Sequence, residues 1–133
     1  MAQIHVSIVT PEMTTFEQEV DSVVVPMIDG ERGILAGHAP MIGRLNPGEM
    51  RVTVKSTTER FYVDGGFVQI ADNKVSVLTG VSIPVDEIDV AKAKSDLEAA
   101  QGQQAESLGL MELKQKAIAQ ATAQIRMAEK TVS

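Results

Sequence analysis

Apolar and polar residues alternate in short runs through the first two thirds of the chain. A period of two places every second side chain on the same face of a β-strand, so each run predicts a strand with one buried face. The clearest runs cover residues 4–9, 16–27, 50–54, 60–63, 67–70 and 75–78. Triplets rich in turn-forming residues lie between them and predict turns, namely Asn46-Pro47-Gly48, Asp64-Gly65-Gly66 and Ala71-Asp72-Asn73.

After about residue 86 the apolar period becomes that of a helix. Asp86 is a suitable N-cap, with Glu87 in the first turn, and predicts a first helix over residues 87–104. Gly102 and Gly109 bracket a break before a second helix over residues 110–130. One apolar stripe of the first helix contains Val90, Ala93, Leu97 and Ala100, and one stripe of the second contains Leu113, Ala117, Ala121, Ile125 and Ala128.

The composition changes at the same place. All five prolines and most valines precede residue 87, whereas most alanines follow it, and valine favours strands while alanine favours helices. We therefore predict an α+β fold. Residues 1–86 form an antiparallel β-sandwich or flattened barrel of about ten short strands, and residues 87–133 form a helical hairpin. The alanine-rich stripes predict a weakly held hairpin, because an alanine contributes only about 0.8 kcal/mol on burial.

Composition and charge exclude several classes of protein. The net charge of -6 argues against nucleic-acid binding, which requires a basic face. The chain has no cysteine, so it has no disulfide and no thiolate metal site. Its apolar runs are shorter than the roughly 18 to 20 residues of a membrane span, and its N-terminus lacks the pattern of a signal peptide.

Residues 30–40 contain three glycines and a proline around His38, which predicts a shaped loop rather than a helix or strand. A phosphate-binding loop requires a lysine after its last glycine, and here His38 follows Gly37. His38 has no companion from a nucleophile or zinc motif, so a small enzyme built around it is disfavoured. We interpret the loop as a protein-docking element.

The same loop carries a family resemblance. Its sequence, Gly30-Glu31-Arg32-Gly33-Ile34-Leu35-Ala36-Gly37-His38-Ala39-Pro40, resembles an element of the epsilon subunit of the rotary ATP synthase. Three further segments are similar to that family in order and spacing, and with the loop they extend over the chain from end to end. They are Ile4-His5-Val6-Ser7-Ile8-Val9-Thr10-Pro11, Gly65-Gly66-Phe67-Val68-Gln69-Ile70 and Asp86-Glu87-Ile88-Asp89.

The resemblance implies a non-catalytic rotor subunit of an ion-driven ATP synthase, without a cofactor or metal. Its partners would be the gamma subunit, the ring of c subunits and, transiently, the alpha/beta catalytic hexamer. The complex would hold it at the cytoplasmic face of the inner (plasma) membrane. Glu31, Arg32, Gly37 and His38 would lie at the end of the sandwich that faces the c ring. The hairpin would act as a switch that permits turnover when folded and blocks ATP hydrolysis when extended.

Some bacterial members bind ATP through Ile/Leu-Asp-x-x-Arg-Ala at the start of the first helix. The matching run here, Ile88 to Ala93, keeps Asp89 but replaces the arginine with Lys92. Lysine lacks the planar fork of donors of arginine. Ile83 stands where the ATP-binding members have an acidic residue, and Thr122 stands where they have an arginine. Of the arginines in the second helix, only Arg126 matches. We expect ATP binding to be weak or absent.

The basic residues of the second helix have two interpretations. Lys114, Lys116, Arg126 and Lys130 form either a solvated face, partly neutralised by Glu112 beside Lys116, or a surface for acidic segments of the beta subunits. The alternative to a rotor subunit is a free-standing β-sandwich adaptor that binds a peptide or carbohydrate, with the helices as a brace.

Overall fold

The computed structural model describes residues 2–130, except for the side chain of Lys130. These residues form two compact units that divide between Pro84 and Val85. The first unit contains eight strands, fewer than the ten predicted. They are β1 (Ile4–Val9), β2 (Thr14–Val20), β3 (Ser22–Met27), β4 (Gly30–Ile34), β5 (Met41–Val54), β6 (Thr57–Ala71), β7 (Lys74–Leu78) and β8 (Ser82–Pro84).

The eight strands form one continuous sheet in the order β2-β1-β7-β6-β5-β3-β4, with β8 paired to β6. The pairs are antiparallel except for β1 and β7, which run parallel, so the sheet is mixed rather than purely antiparallel. The sheet folds back on itself. Phe16 of β2 and Phe61 of β6 have ring centroids 5.1 Å apart, although three strand spacings, about 14 Å, would separate β2 from β6 in a flat sheet.

The folded sheet encloses a single apolar core. The alternation in β1 buries Ile4, Val6 and Ile8 completely, as a strand with one face towards a core requires. Strands β2 and β4, at opposite ends of the sheet, contribute to the same buried cluster, which confirms the predicted sandwich. Its other fully buried members include Val20, Val23, Val25, Ile34, Met50, Val63, Val68, Val75 and Val77.

Two of the predicted turns are wrong. Asn46-Pro47-Gly48 lies inside the 14-residue β5, and Asp64-Gly65-Gly66 lies inside the 15-residue β6. The two long strands pair along their whole length, from Met41 opposite Ile70 to Val54 opposite Thr57. They therefore extend through both layers of the sandwich. The third predicted turn is confirmed, since Asp72 and Asn73 connect β6 to β7. The predicted strand over residues 16–27 is divided at Asp21 into β2 and β3.

The glycine-rich segment is only partly a loop. Its first half is β4, which forms a hairpin with β3 in the register Met27 opposite Gly30 and Val23 opposite Ile34. The prediction of a loop over all of residues 30–40 is therefore wrong for Gly30–Ile34. A strand was missed because glycines interrupt the apolar alternation there. Residues 35–40 form the loop, and we call them the glycine loop.

The second unit begins with a short 3-10 turn, Val85–Glu87, followed by α1 (Val90–Gln101) and α2 (Leu108–Lys130). The predicted cap at Asp86 is wrong. Asp89 is the N-cap, and its carboxylate accepts a hydrogen bond of 3.0 Å from the backbone N–H of Lys92. The hydroxyl of Ser107 accepts from the N–H of Leu110 at 3.2 Å, so α2 begins two residues before the predicted start.

Small side chains form the seam between the two helices. Ala93, Ala100 and Ala121 are buried as predicted, together with Met127, which the predicted stripe omits. Leu113 was placed in that stripe but is 64% exposed. The first turns of α2 also expose Leu108, Leu110 and Met111. The hairpin thus buries mostly methyl groups and leaves larger apolar side chains in solvent.

Candidate docking surfaces

The glycine loop is held to the turn between β6 and β7. The backbone N–H of Gly37 donates a 2.7 Å hydrogen bond to Oδ1 of Asn73. Gly37 has φ +87°, in the region that favours glycine. An alanine Cβ at this position would meet no atom within 4 Å. Glycine is therefore needed here for its backbone conformation rather than for space.

His38 makes local contacts with the backbone of the same loop. The backbone N–H of His38 donates to the carbonyl of Leu35 at 3.2 Å, which closes a turn. Its Nδ1 lies 2.7 Å from the carbonyl oxygen of Ala39, a distance at which the protonated ring nitrogen donates. The imidazole thus helps to hold the loop, while Leu35 stays exposed beside it.

Glu31 and Arg32 lie on β4. The Glu31 carboxylate accepts two hydrogen bonds from the Arg51 guanidinium, at 2.9 and 3.1 Å. Arg51 also donates to Glu49, which in turn binds Arg60. The carboxylates of Glu31 and Glu49 raise the pKa of Arg51. Glu31 is thus oriented by a charged network across the sheet.

Three large apolar side chains are exposed on the outer side of β5, β6 and β7. We call Ile42, Phe67 and Leu78 the outer apolar face; they are 72%, 52% and 46% exposed. Phe67 lies opposite Leu78, and Ile42 opposite Gln69, on the side of the sheet away from the core. A cleft of about 330 Å³ adjoins Leu78 and is lined by Val9, Thr10, Pro11, Thr79 and Gly80.

Sequence reasoning missed this face. A signal was present, because Phe67 and Val68 are adjacent apolar residues, as are Val77 and Leu78. Such pairs interrupt the alternation and place an apolar side chain on each side of the strand. Clusters of exposed apolar side chains are typical of surfaces that bind other proteins.

The ATP-site candidates lie on both helices. Asp89 caps α1, and the Nζ of Lys92 is 3.3 Å from the carboxylate of Asp96 in an exposed ion pair. Arg126 is exposed on α2. Asp89 and Lys92 thus have local roles at the start of α1. The expectation of weak or absent ATP binding stays a prediction.

The basic residues of α2 are dispersed. Lys114 donates from Nζ to the carbonyl of Gln103 at 3.0 Å, and Lys116 is exposed. The sequence suggested an ion pair between Glu112 and Lys116, but none joins them within residues 2–130. The side chain of Lys130 lies outside the described residues.

The described residues include neither a metal-binding cluster nor a membrane-spanning helix. Between residues 2 and 130, no group of three or more His, Asp or Glu side chains could hold a metal ion. In the same part of the chain, neither helix is both long and apolar enough to cross a bilayer.

A β-sandwich with an exposed apolar face, followed by a helical hairpin, is typical of a subunit that binds other proteins. Residues 3–85 match the family described as the ATP synthase, Delta/Epsilon chain, beta-sandwich domain. The ATP synthase epsilon chain of Rhodopirellula baltica is 44% identical over 119 residues, which cover 90% of this chain and 93% of that one. That of Carboxydothermus hydrogenoformans is 43% identical over 98 residues, covering 74% and 73%.

The chain therefore belongs to the ATP synthase epsilon chain family, and the resemblance found in its motifs is confirmed. Its fold is also that of a chain in the cryo-EM structure of the Euglena gracilis mitochondrial ATP synthase, OSCP/F1/c-ring. The two agree with a TM-score of 0.79 at 24% identity, covering 99% of this chain and 82% of that one. The second unit of this chain is included in that similarity of fold.

Proposed function

We propose that this chain is a non-catalytic central-stalk subunit of an ion-driven ATP synthase, in which it joins the gamma subunit to the c ring. Membership of the epsilon chain family supports the class of complex. In this role the chain transmits rotation and performs no chemistry of its own. It is a peripheral protein, held by the complex at the cytoplasmic face of the inner (plasma) membrane.

The outer apolar face is the observation that carries the docking role. Ile42, Phe67 and Leu78 lie on three neighbouring strands, and their exposure leaves apolar area for a partner to cover. We assign this face to gamma. Glu31 and Arg32 of β4 and the glycine loop with Gly37 and His38 are assigned to the c ring, and Arg51 and Glu49 hold the Glu31 carboxylate in a fixed orientation.

A Phe67→Ala substitution tests the gamma assignment. With 52% of an aromatic side chain exposed, about 100 Å² remains for a partner to cover, which corresponds to about 2.5 kcal/mol or a 70-fold change in Kd. The variant should bind an epsilon-depleted ATP synthase one to two orders of magnitude more weakly, as measured by surface plasmon resonance.

Phe67→Leu is the matched control, because it keeps an apolar side chain at the same position. It should retain most of the affinity. Equal affinities for Phe67→Ala and the wild type would remove the outer apolar face from the gamma interface. A wild-type protein that neither binds nor co-purifies with the ATP synthase would favour a free-standing adaptor instead.

We further propose that α1 and α2 regulate ATP hydrolysis by changing position. Their seam of Ala93, Ala100 and Ala121 holds them weakly, since each alanine contributes about one methyl group of burial. The start of α2 exposes four large apolar side chains, which a second arrangement of the helices would cover against a partner. If wholly helical, residues 88–130 would span about 65 Å, enough to reach into the catalytic hexamer.

A stop codon after Asp86 tests the regulatory role. The sandwich and its docking surfaces precede this position, so the truncated chain should still assemble with the complex. ATP hydrolysis by the reconstituted enzyme should then rise, because the inhibitory segment is missing. Normal assembly with unchanged hydrolysis would show that the helices do not inhibit. Loss of assembly would show that the helices are needed for docking itself.

A further inference from the structure

Asn73 connects three segments that lie far apart in the sequence. It is the second residue of the turn between β6 and β7. Its carbonyl oxygen accepts a 2.9 Å hydrogen bond from the backbone N–H of His5, at the start of β1. Its side-chain Oδ1 accepts the 2.7 Å bond from the N–H of Gly37 in the glycine loop.

The turn fixes the position from which the Asn73 side chain projects. Asp72 and Asn73 have φ of +53° and +59°, and they join the paired residues Ala71 and Lys74. Two successive left-handed residues are typical of the tight hairpin turn that matches strand twist, and asparagine tolerates this conformation better than most residues. With its backbone held by the turn and by His5, the amide side chain of Asn73 has a defined origin.

Hydrogen bonds of His38 to Leu35 and Ala39 set the local shape of the glycine loop. Its internal backbone bond runs from the N–H of His38 to the carbonyl of Leu35. The N–H of Gly37 points out of that turn towards Asn73. Oδ1 of Asn73 thus joins this loop to the turn between β6 and β7, 36 positions away in the sequence.

We propose that Asn73 is a positioning residue for rotor binding: its side chain holds the glycine loop in the conformation that the c ring recognises. This inference rests on the proposed function, in which the loop lies at the c-ring end of the sandwich. Without the acceptor, the exposed loop samples other conformations, and binding has to restrict them again. Asn73 itself need not touch the partner.

Two substitutions separate the acceptor from the turn conformation. Asn73→Gly keeps the left-handed backbone and removes the acceptor, whereas Asn73→Asp keeps an acceptor oxygen and a residue that tolerates the turn. One neutral hydrogen bond contributes a factor of about 2 to 10 to an equilibrium. In Asn73→Gly, the amide of Gly37 should exchange its hydrogen about 2- to 10-fold faster, as measured by NMR on the full-length protein.

The same variants are then compared for binding to an ATP synthase depleted of epsilon. Asn73→Gly should bind about 2- to 10-fold more weakly, and Asn73→Asp should bind like the wild type. The melting temperature serves as a control, because both variants should keep the wild-type value to within a few degrees. A merely structural role for Asn73 would change the melting temperature without a selective effect on the Gly37 amide.

Each contrary outcome has a distinct meaning. Unchanged Gly37 exchange in Asn73→Gly would refute the hydrogen bond as the element that holds the loop. Faster exchange with unchanged affinity would refute the positioning role, as would an equal loss of affinity in Asn73→Gly and Asn73→Asp. If the wild type failed to bind the depleted complex, the proposed function would be wrong and the positioning role with it, whatever the exchange rates.

Discussion

An alanine at Gly66 should destabilise the sandwich far more than an alanine at the adjacent Gly65. Both glycines have positive φ, +86° at Gly65 and +108° at Gly66. Each substitution therefore pays the conformational cost of a left-handed alanine, about 1–2 kcal/mol. The two sites differ in what the new Cβ meets, and that difference makes them a matched pair.

A Cβ at Gly66 would lie 2.0 Å from the carbonyl oxygen of Leu78 and 3.1 Å from Cα of Thr79, whereas at Gly65 the nearest atom is 3.6 Å away. The obstacle at Gly66 is backbone, which cannot rotate aside as a side chain can. Relieving it requires β6 and β7 to separate where Phe67 pairs with Leu78. Losing two ladder hydrogen bonds costs about 1–3 kcal/mol, so Gly66→Ala should cost about 2–5 kcal/mol in total.

Urea unfolding followed by far-UV circular dichroism measures the difference. With a slope of about 2 kcal/mol per molar urea, the Gly66→Ala midpoint should lie about 0.5 to 1.5 M below that of Gly65→Ala. Midpoints within about 0.3 M of each other would refute the reasoning, because they would show that the strands move apart at little cost.

Two other measurements test the local electrostatics. Hydrogen bonds with Glu17, and to a smaller extent with Glu19, raise the pKa of His5 above 6.5. The stabilisation by these hydrogen bonds is therefore present below pH 6.5 and is lost as the pH rises through the folded-state pKa. The difference in melting temperature between wild type and His5→Gln should shrink accordingly, and a constant difference from about pH 5 to 9 would refute this reasoning. Asp89→Ala should lower helix stability by about 1 kcal/mol, with loss of ellipticity at 222 nm on mild heating, whereas Asp86→Ala should not; equal losses would refute Asp89 as the cap.

The strands that could be predicted are those that local alternation alone determines. Apolar and polar residues alternate strictly over residues 4–9, and β1 begins and ends at those residues. Its inward side chains pack into the core along the whole strand. The long strands β5 and β6 could not be read in this way. Pro47 and the Gly65-Gly66 pair indicate a turn locally, but the strands continue through these residues and Gly66 instead permits close approach of the Leu78 carbonyl.

The start of α1 was misplaced for a related reason. Asp86 and Asp89 are both suitable caps, and only the backbone decides between them. A 3-10 turn occupies Val85–Glu87, which leaves Asp89 in an extended conformation at the first helical turn. The docking surfaces depend on still longer-range structure, since Gly37 meets Asn73 and Glu31 meets Arg51 only after the sheet has formed. Residue motifs identified the family without revealing these contacts.

The distribution of burial between the two units bears directly on regulation. The sandwich buries many branched aliphatic side chains and Phe61 in one cluster, whereas within residues 2–130 the helices bury three alanines and one methionine. Segments with little apolar burial open at lower free energy than the core of a protein. A displacement of α1 and α2 therefore leaves intact the sandwich that carries the outer apolar face and the glycine loop. Because the docking surfaces and the helices belong to separate compact units, the proposed movement of α1 and α2 would leave the chain bound to the rotor in either arrangement.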